Sequence, residues 1–529
     1  MLACHFFGLL LRPHLLISLN SSLQEVAPLS YSFIGSYFLD PYYSRYWEAL
    51  NIAARSLVNS SEEDQDAQNG RRTKAAYPYT LVRAKNVGMT AILLFARDPT
   101  KVRQIEEAEC GFGAADMGNK GAVGLRVAWA DDGREHEEEK STELTFVAAH
   151  LAAMEWNVKK RNANWRTIMS SLTFANPRQV MPGVFPANTS APTPDRTGGG
   201  KDGLPPPPRR TDVTEDSSEA DDADTQPLLN GSIGEEDEEE EEDSSTAVLH
   251  PDHPKITAEH YASLQDLSIF KPTSHLFVAG DLNYRISTTT PPPLATFPSF
   301  EPGAENHYST FLGRDQLTKE RQAGGVFEGM SEAPIEFGPT YKYDIQTGAE
   351  GAENEAAVRA GNMINGVQEV AWRFACHRWP GWCDRVLFLD VPAWAKKGKK
   401  TGGRDIQVRG YDALPVMETS DHRPVFFRAS VPILGRDAMK PPVGQEWGEG
   451  EEEGEGEVAD GYNKADPRVK LPMPIDVHAW ERRAKARRWE IMVGWSAFVW
   501  STPEGAMVLA TVVLLGVGTW WLGSEVGLF

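Results

Sequence analysis

Over its first 435 residues the chain alternates short apolar runs with longer polar stretches. Residues 15–19, 90–96, 122–129, 144–149, 276–279, 385–389 and 425–431 are nearly continuous apolar segments, each with at least one β-branched residue. Runs of that length and density suit strands covered on both faces. Residues 157–171 are polar with a helical period. Strands alternating with helices predict an α/β fold. The extreme N-terminus, residues 2–19, is apolar apart from His5, Arg12 and His14. It lacks the basic start of a signal peptide, and Arg12 interrupts it, so it reads as a strand at 15–19 behind an ill-defined leader.

Two stretches break the pattern. Residues 177–254 are rich in Pro, Gly, Ser and acid, with prolines at Pro205 to Pro208. They carry too little apolar surface to offset the entropy of ordering and read as a disordered insertion. Residues 441–474 behave likewise, within a linker over 436–480.

The end of the chain is different again. Residues 505–522 hold no charge. As a helix they extend about 27 Å, the thickness of a thin bilayer core. Trp520 and Trp521 sit at the far end, where indoles favour an interface. Arg482, Arg483, Lys485, Arg487 and Arg488 precede the span and only Glu525 follows it. That asymmetry places the bulk of the chain in the cytoplasm. Residues 481–504, with Trp489, Trp495 and Trp500, form a basic juxtamembrane segment suited to anionic lipid. A short span followed by a seven-residue tail favours the endoplasmic reticulum on thickness.

Charge and cysteine content narrow the class. The formal net charge of -22 argues against a nucleic-acid partner. Much of the acid lies in residues 235–243 and 451–457, so local basic patches survive. Cys4, Cys110, Cys376 and Cys383 form no CxxC pair. A disulfide framework and a structural zinc site are both disfavoured.

Four constellations at strand ends carry possible chemistry, the usual place for α/β sites. Asp281 and Asn283 follow the strand at 276–279. They can orient water, bind metal or hold a phosphate oxygen, although Gly-Asp-x-Asn is equally a turn. Asp421 and His422 precede the last strand and offer a metal contact and an imidazole. Asp384, between Arg378 and Arg385, can fix a histidine tautomer or form a structural ion pair. His150 ends a strand and is either a phosphate contact or a core histidine.

Together these segments resemble the inositol polyphosphate 5-phosphatases of the endonuclease/exonuclease/phosphatase superfamily. The resemblance rests on Gly280-Asp281-Leu282-Asn283-Tyr284-Arg285 and on Trp379-Pro380-Gly381-Trp382-Cys383-Asp384-Arg385. Supporting motifs follow in order: Gln24-Glu25, Gly118-Asn119-Lys120-Gly121, His150-Leu151-Ala152-Ala153, Pro339-Thr340-Tyr341-Lys342-Tyr343-Asp344 and Ser420-Asp421-His422. It covers residues 15 to 431 and resembles in particular the fungal, tail-anchored phosphatidylinositol 4,5-bisphosphate 5-phosphatases.

The resemblance implies a four-layered α/β sandwich, two packed mixed sheets flanked by helices, followed by the C-terminal transmembrane helix. It implies Mg²⁺-dependent hydrolysis of the inositol 5-phosphate, with PtdIns(4,5)P2 the expected lipid and the membrane the expected partner. Glu25 then resembles the metal ligand, with Asp421 near it. Asp281 positions water, Asn283 holds a phosphate oxygen, and His422, supported by Asp384, meets the scissile phosphate together with His150. Asn119, Lys120, Arg285, Tyr341, Lys342 and Arg378 resemble the lining that grips the substrate. Family members carry a metal-binding Asn on a first strand before the Gln-Glu motif; here 23 residues precede Gln24, so the 1–435 domain is expected to lack that strand. Val278 stands where an aromatic residue is common, and Met154 where a second histidine often follows. Two other functions share parts of the pattern: a nuclease of the same superfamily, and a catalytically silent, membrane-tethered phosphoinositide-binding module.

Overall fold

A computed structural model describes residues 3–12, 15–62, 78–130, 141–181, 257–346, 370–396, 405–441 and 466–525. Most of the expected acidic insertion, and the linker over 442–465, lie outside the described residues. The strands are β1 (Ala3–Arg12), β2 (Leu15–Gln24), β3 (Thr80–Val87), β4 (Thr90–Ala96), β5 (Val102–Gly111), β6 (Gly121–Ala130), β7 (Ser141–His150), β8 (Ser274–Asp281), β9 (Met330–Ser331), β10 (Tyr343–Ile345), β11 (Trp372–Phe374), β12 (Asp384–Leu389), β13 (Gln407–Ala413) and β14 (Val425–Ser430). The helices that matter below are α1 (Leu29–Ile34), α2 (Asp40–Glu62), α3 (Val158–Ser171), α4 (Ala258–Leu267), α5 (Ala479–Ser501) and α6 (Pro503–Glu525).

Two six-stranded mixed sheets result, in the orders β13-β14-β1-β2-β4-β3 and β5-β6-β7-β8-β12-β9. Strand β4 shows why they stack. All seven of its residues are buried. Ile92, Leu94 and Ala96 enter the core between the sheets, and Ala91, Leu93 and Phe95 enter a second core beneath α2. A period of two with apolar residues on both faces produces that division. Between the sheets, Phe427 of β14 lies 5.4 Å from Phe388 of β12 and 6.4 Å from Phe277 of β8, ring centre to ring centre. On the outer face of the second sheet, α3 buries Trp165, Ile168 and Met169. Helices, sheet, sheet and helices make the four layers.

The apolar runs coincide with β2, β4, β6, β7, β8, β12 and β14, and residues 157–171 with α3. One reading needs correction. The segment taken as a leader is β1, paired parallel to β14 (His5 opposite Val425) and antiparallel to β2 (Ala3 opposite Gln24). A near-continuous apolar run is what an interior strand of a sheet covered on both faces requires. The sequence of β1 contains no Asn.

The two C-terminal helices differ. The buried residues of α5 are Ala479, Arg483, Ala486, Glu490, Gly494 and Phe498, spaced by three or four, so one face docks on the domain. Gly494 permits close approach: a Cβ there would stand 2.9 Å from the Phe33 Cβ of α1. By contrast α6 is uncovered, with Leu514 72% and Trp520 64% exposed. Residues Pro503–Leu522 are long and apolar enough to cross a membrane.

Candidate active site

Strand register assembles the site. On the second sheet Gly121 lies opposite His150, His150 opposite Asp281, and Asp281 opposite Asp384. Directly opposed residues share a face, so three elements far apart in sequence put His150, Asp281 and Asp384 on one row at the sheet edge. Gly280 is required there. Its φ is 146°, and a Cβ would meet the Ala149 carbonyl at 1.9 Å. Beyond it Asn283 takes a φ of 57°, a left-handed conformation Asn tolerates.

The row carries two imidazole–carboxylate pairs. His150 Nε2 is 3.3 Å from Asp281 Oδ2 and 2.5 Å from Lys120 Nζ. Burial, reinforced by the Lys120 charge, lowers the His150 pKa and favours the neutral ring. Burial likewise lowers the Lys120 pKa. For Asp281 burial acts upward, but the His150 hydrogen bond and the His422 charge outweigh it and hold the group ionised. In the second pair His422 Nδ1 is 2.8 Å from Asp384 Oδ2, which also accepts from Thr340 Oγ1 at 2.6 Å. Burial opposes a charge on His422, yet the Asp384 carboxylate prevails and its pKa is pushed up to about 9. At neutral pH one imidazole is therefore neutral and the other cationic, a division of labour typical of acid–base sites.

Backbone bonds weave the three later motifs together. The Thr340 N–H donates to the Gly381 carbonyl at 2.9 Å, Arg423 N–H to the Thr340 carbonyl at 2.8 Å, and Tyr343 N–H to the Asp421 carbonyl at 3.0 Å. The Tyr341 and His422 rings then lie 4.6 Å apart. Lys342 Nζ is 3.7 Å from Asp421 Oδ2, and Lys120 Nζ is 3.9 Å from Glu25 Oε1. On the other side Arg161 of α3 holds the turn after His150 through the Ala152 and Met154 carbonyls, at 3.1 and 2.6 Å.

Some side chains sit where the motifs alone did not place them. Asn283 Nδ2 donates to Asp281 Oδ2 at 2.8 Å and to the Leu151 carbonyl at 3.1 Å. One amide hydrogen is thus given to Asp281 and the other to the turn after β7. Arg285 is buried behind it, giving a 2.5 Å bond to Asn283 Oδ1 and lying 4.2 Å from the centre of the Tyr341 ring. It braces the row from beneath. Asn119 is exposed, and Arg378 pairs at 3.5 Å with Glu155. Sequence reasoning passed over Thr340 and Glu155. Thr340 lay in a quoted motif but does not titrate; Glu155, 1% exposed, gave no local signal.

The sequence profile described as endonuclease/exonuclease/phosphatase family 2 matches residues 13–197 and 236–428. The chain belongs to that family. Type II inositol polyphosphate 5-phosphatase 15 of Arabidopsis thaliana is 27% identical over 338 residues, 62% of this chain and 22% of that protein. Polyphosphatidylinositol phosphatase INP53 of Saccharomyces cerevisiae is 23% identical over 401 residues, 73% of this chain and 23% of that protein. The chain thus spans less than a quarter of the length of these relatives. The inositol polyphosphate 5-phosphatase domain of SPsynaptojanin, solved with inositol (1,4)-bisphosphate and calcium ion, aligns with a TM-score of 0.40 at 20% identity over 83% of this chain and 88% of that one.

Proposed function

We propose that the chain hydrolyses the 5-phosphate of a phosphoinositide, converting PtdIns(4,5)P2 to PtdIns4P, with Mg²⁺, at the cytoplasmic face of the endoplasmic reticulum. The observation that carries this reading is the single row joining His150–Asp281 to His422–Asp384, flanked by Lys120 and Lys342.

The residues fit a hard divalent cation. Glu25 stands on a backbone with φ of 55°, and its half-exposed carboxylate faces the Lys120 ammonium. Asp421 supplies a second carboxylate. Oxygen donors without thiolates suit Mg²⁺. Among the described residues no group of three or more His, Cys, Asp or Glu is placed to hold a metal ion. When bound at Glu25 and Asp421, Mg²⁺ would supply positive charge against the phosphate oxygens.

The chain's own groups do the rest. Asp281, held ionised and oriented by Asn283, accepts a hydrogen bond from the attacking water. His422, cationic and fixed through Nδ1 by Asp384, presents Nε2–H to a phosphate oxygen. Charge of this kind preorganised at the site is the largest contribution in phosphoryl chemistry. Lys120, Lys342 and Tyr341 line the approach for neighbouring ring phosphates. The apolar, uncovered α6 anchors the domain to the lipid that carries the substrate, which raises effective headgroup concentration. The exposed face of α5, with Trp489, Met492 and Trp500, adjoins that span and suits the interface.

The test is phosphate release from PtdIns(4,5)P2 vesicles by the full chain, with Mg²⁺ and with chelator. Release that needs the metal supports the proposal. Cleavage of DNA without release from lipid would instead favour the nuclease reading, and headgroup binding without turnover the silent module.

A further inference from the structure

An arginine-rich helix ahead of an apolar span normally spends its charge on anionic lipid. In α5 three of the arginines turn the other way. Arg482 pairs with Asp116 at 3.0 Å, and Arg483 with Glu109 at 2.8 Å. Arg487 donates to the Phe33 and Ile34 carbonyls at 2.6 and 3.0 Å. At their centre is Glu490, which has no exposed surface. Its carboxylate is neutralised by Arg483, at 2.5 and 2.9 Å, and by Arg487 at 3.2 Å. Removing one partner would leave the other's charge buried and uncompensated, a strongly destabilising change.

Glu490 has one further partner: Oε1 accepts the Gly118 N–H at 2.7 Å, across 372 residues of sequence. Gly118 opens the loop that delivers Lys120 to His150 and Glu25. It is wedged against the turn after β3. A Cβ on Gly118 would meet Val87 Cγ2 at 2.8 Å, and one on Gly88, whose φ is 49°, would meet the Gly118 carbonyl at 1.8 Å. Next to that wedge the Met89 carbonyl accepts the Val26 N–H at 3.1 Å, one residue after Glu25. The loop and the Gln24-Glu25 motif thus lean on the same turn, and Glu490 closes the loop's open side.

We propose that Glu490 is a positioning residue of the active site. By accepting the Gly118 N–H it fixes the loop carrying Lys120, which makes the helix leading to the membrane span a structural part of the catalytic platform. This rests on the 5-phosphatase reading above. A glycine-rich segment has many conformations to lose, and a charge-assisted bond is a strong way to choose one.

The experiment uses the full chain in detergent micelles with water-soluble dioctanoyl PtdIns(4,5)P2. Wild type, Glu490→Gln, Glu490→Ala and Asp281→Ala are compared for kcat, KM and thermal midpoint. Gln keeps an oxygen for Gly118 but loses the charge facing Arg483 and Arg487; Ala loses both. Both Glu490 variants lower the midpoint. The proposal expects KM within about twofold of wild type for Gln and raised about tenfold for Ala, the scale of one lost hydrogen bond to a charged group. Equal KM in wild type and both variants, or an equal rise in both, overturns it, because kinetics would then be flat or follow stability alone. Amide exchange in wild type gives an answer should the variants not fold. The Gly118 amide is expected to be as protected as the interior of β6, and exchange at the rate of an open loop overturns the proposal. A wild type no more active than Asp281→Ala would refute the 5-phosphatase reading, while the exchange measurement would still decide the Gly118 contact.

Discussion

Both the candidate active-site edge and the C-terminal helices are assembled from residues remote in sequence, but by different means. At the edge, β6, β7, β8 and β12 run side by side, and register alone brings His150, Asp281 and Asp384 into line. At the C-terminus no register exists, and α5 is seated by individual contacts: Gly494 against Phe33, Arg487 on two carbonyls, Glu490 on Gly118. A lattice of backbone bonds tolerates the loss of a side chain without moving its neighbours. A docked helix does not. Substitutions on the row should therefore remove activity and spare stability, while substitutions under α5 should do the reverse, with Glu490 as the place where the two meet.

The sharpest break in that contrast is Asp281→Ala, expected to lower kcat by about three orders of magnitude with little change in thermal midpoint, measured by phosphate release and calorimetry. Asp384→Asn comes next. It strips His422 of the carboxylate that keeps it cationic, and turnover should drop roughly a hundredfold while substrate affinity falls less. Under α5, Gly494→Leu forces a side chain into Phe33 and Ile34 and should destabilise by about 1–3 kcal/mol in chemical denaturation, leaving kcat of the folded fraction near wild type.

Near neutral pH the smallest effect belongs to the far end of β8. His275 is buried there beside Arg468, and burial, aided by that charge, drops its pKa to about 3. The unfolded imidazole takes a proton near 6.5. Stability present above pH 6.5 is therefore lost as pH falls toward 3, at up to about 1.4 kcal/mol per pH unit. His275→Asn should flatten that acid slope of the melting temperature and leave the catalytic row untouched.

The contrast also explains what could be read from the sequence. Strands buried on both faces announce themselves, so β4, β7, β8 and β12 were legible, and the motifs at their ends came with them. Strands β3, β5 and β13 were not, because half-exposed and exposed positions interrupt their apolar residues. Strand β1 is apolar enough, but the reading confines the strand to residues 15–19 and leaves what precedes it as an ill-defined leader. The site's titrating groups were legible as motifs. The groups behind them were not: Thr340 lies in a motif but does not titrate, Glu155 belongs to none, and nothing in the sequence sets Glu490 apart within its basic segment. Which cations face outward and which face the domain depends on a helix face that only the folded chain defines. Lys485 and Arg488 point outward, whereas Arg483 and Arg487 do not.

The most direct test of the central claim is the identity of the product. Phosphorus NMR of PtdIns(4,5)P2 micelles, turned over by the full chain with Mg²⁺, should show the 5-phosphate resonance disappear and the 4-phosphate resonance persist, with no change under Asp281→Ala. Loss of the 4-phosphate instead, or equal loss with Asp281→Ala, would contradict the account.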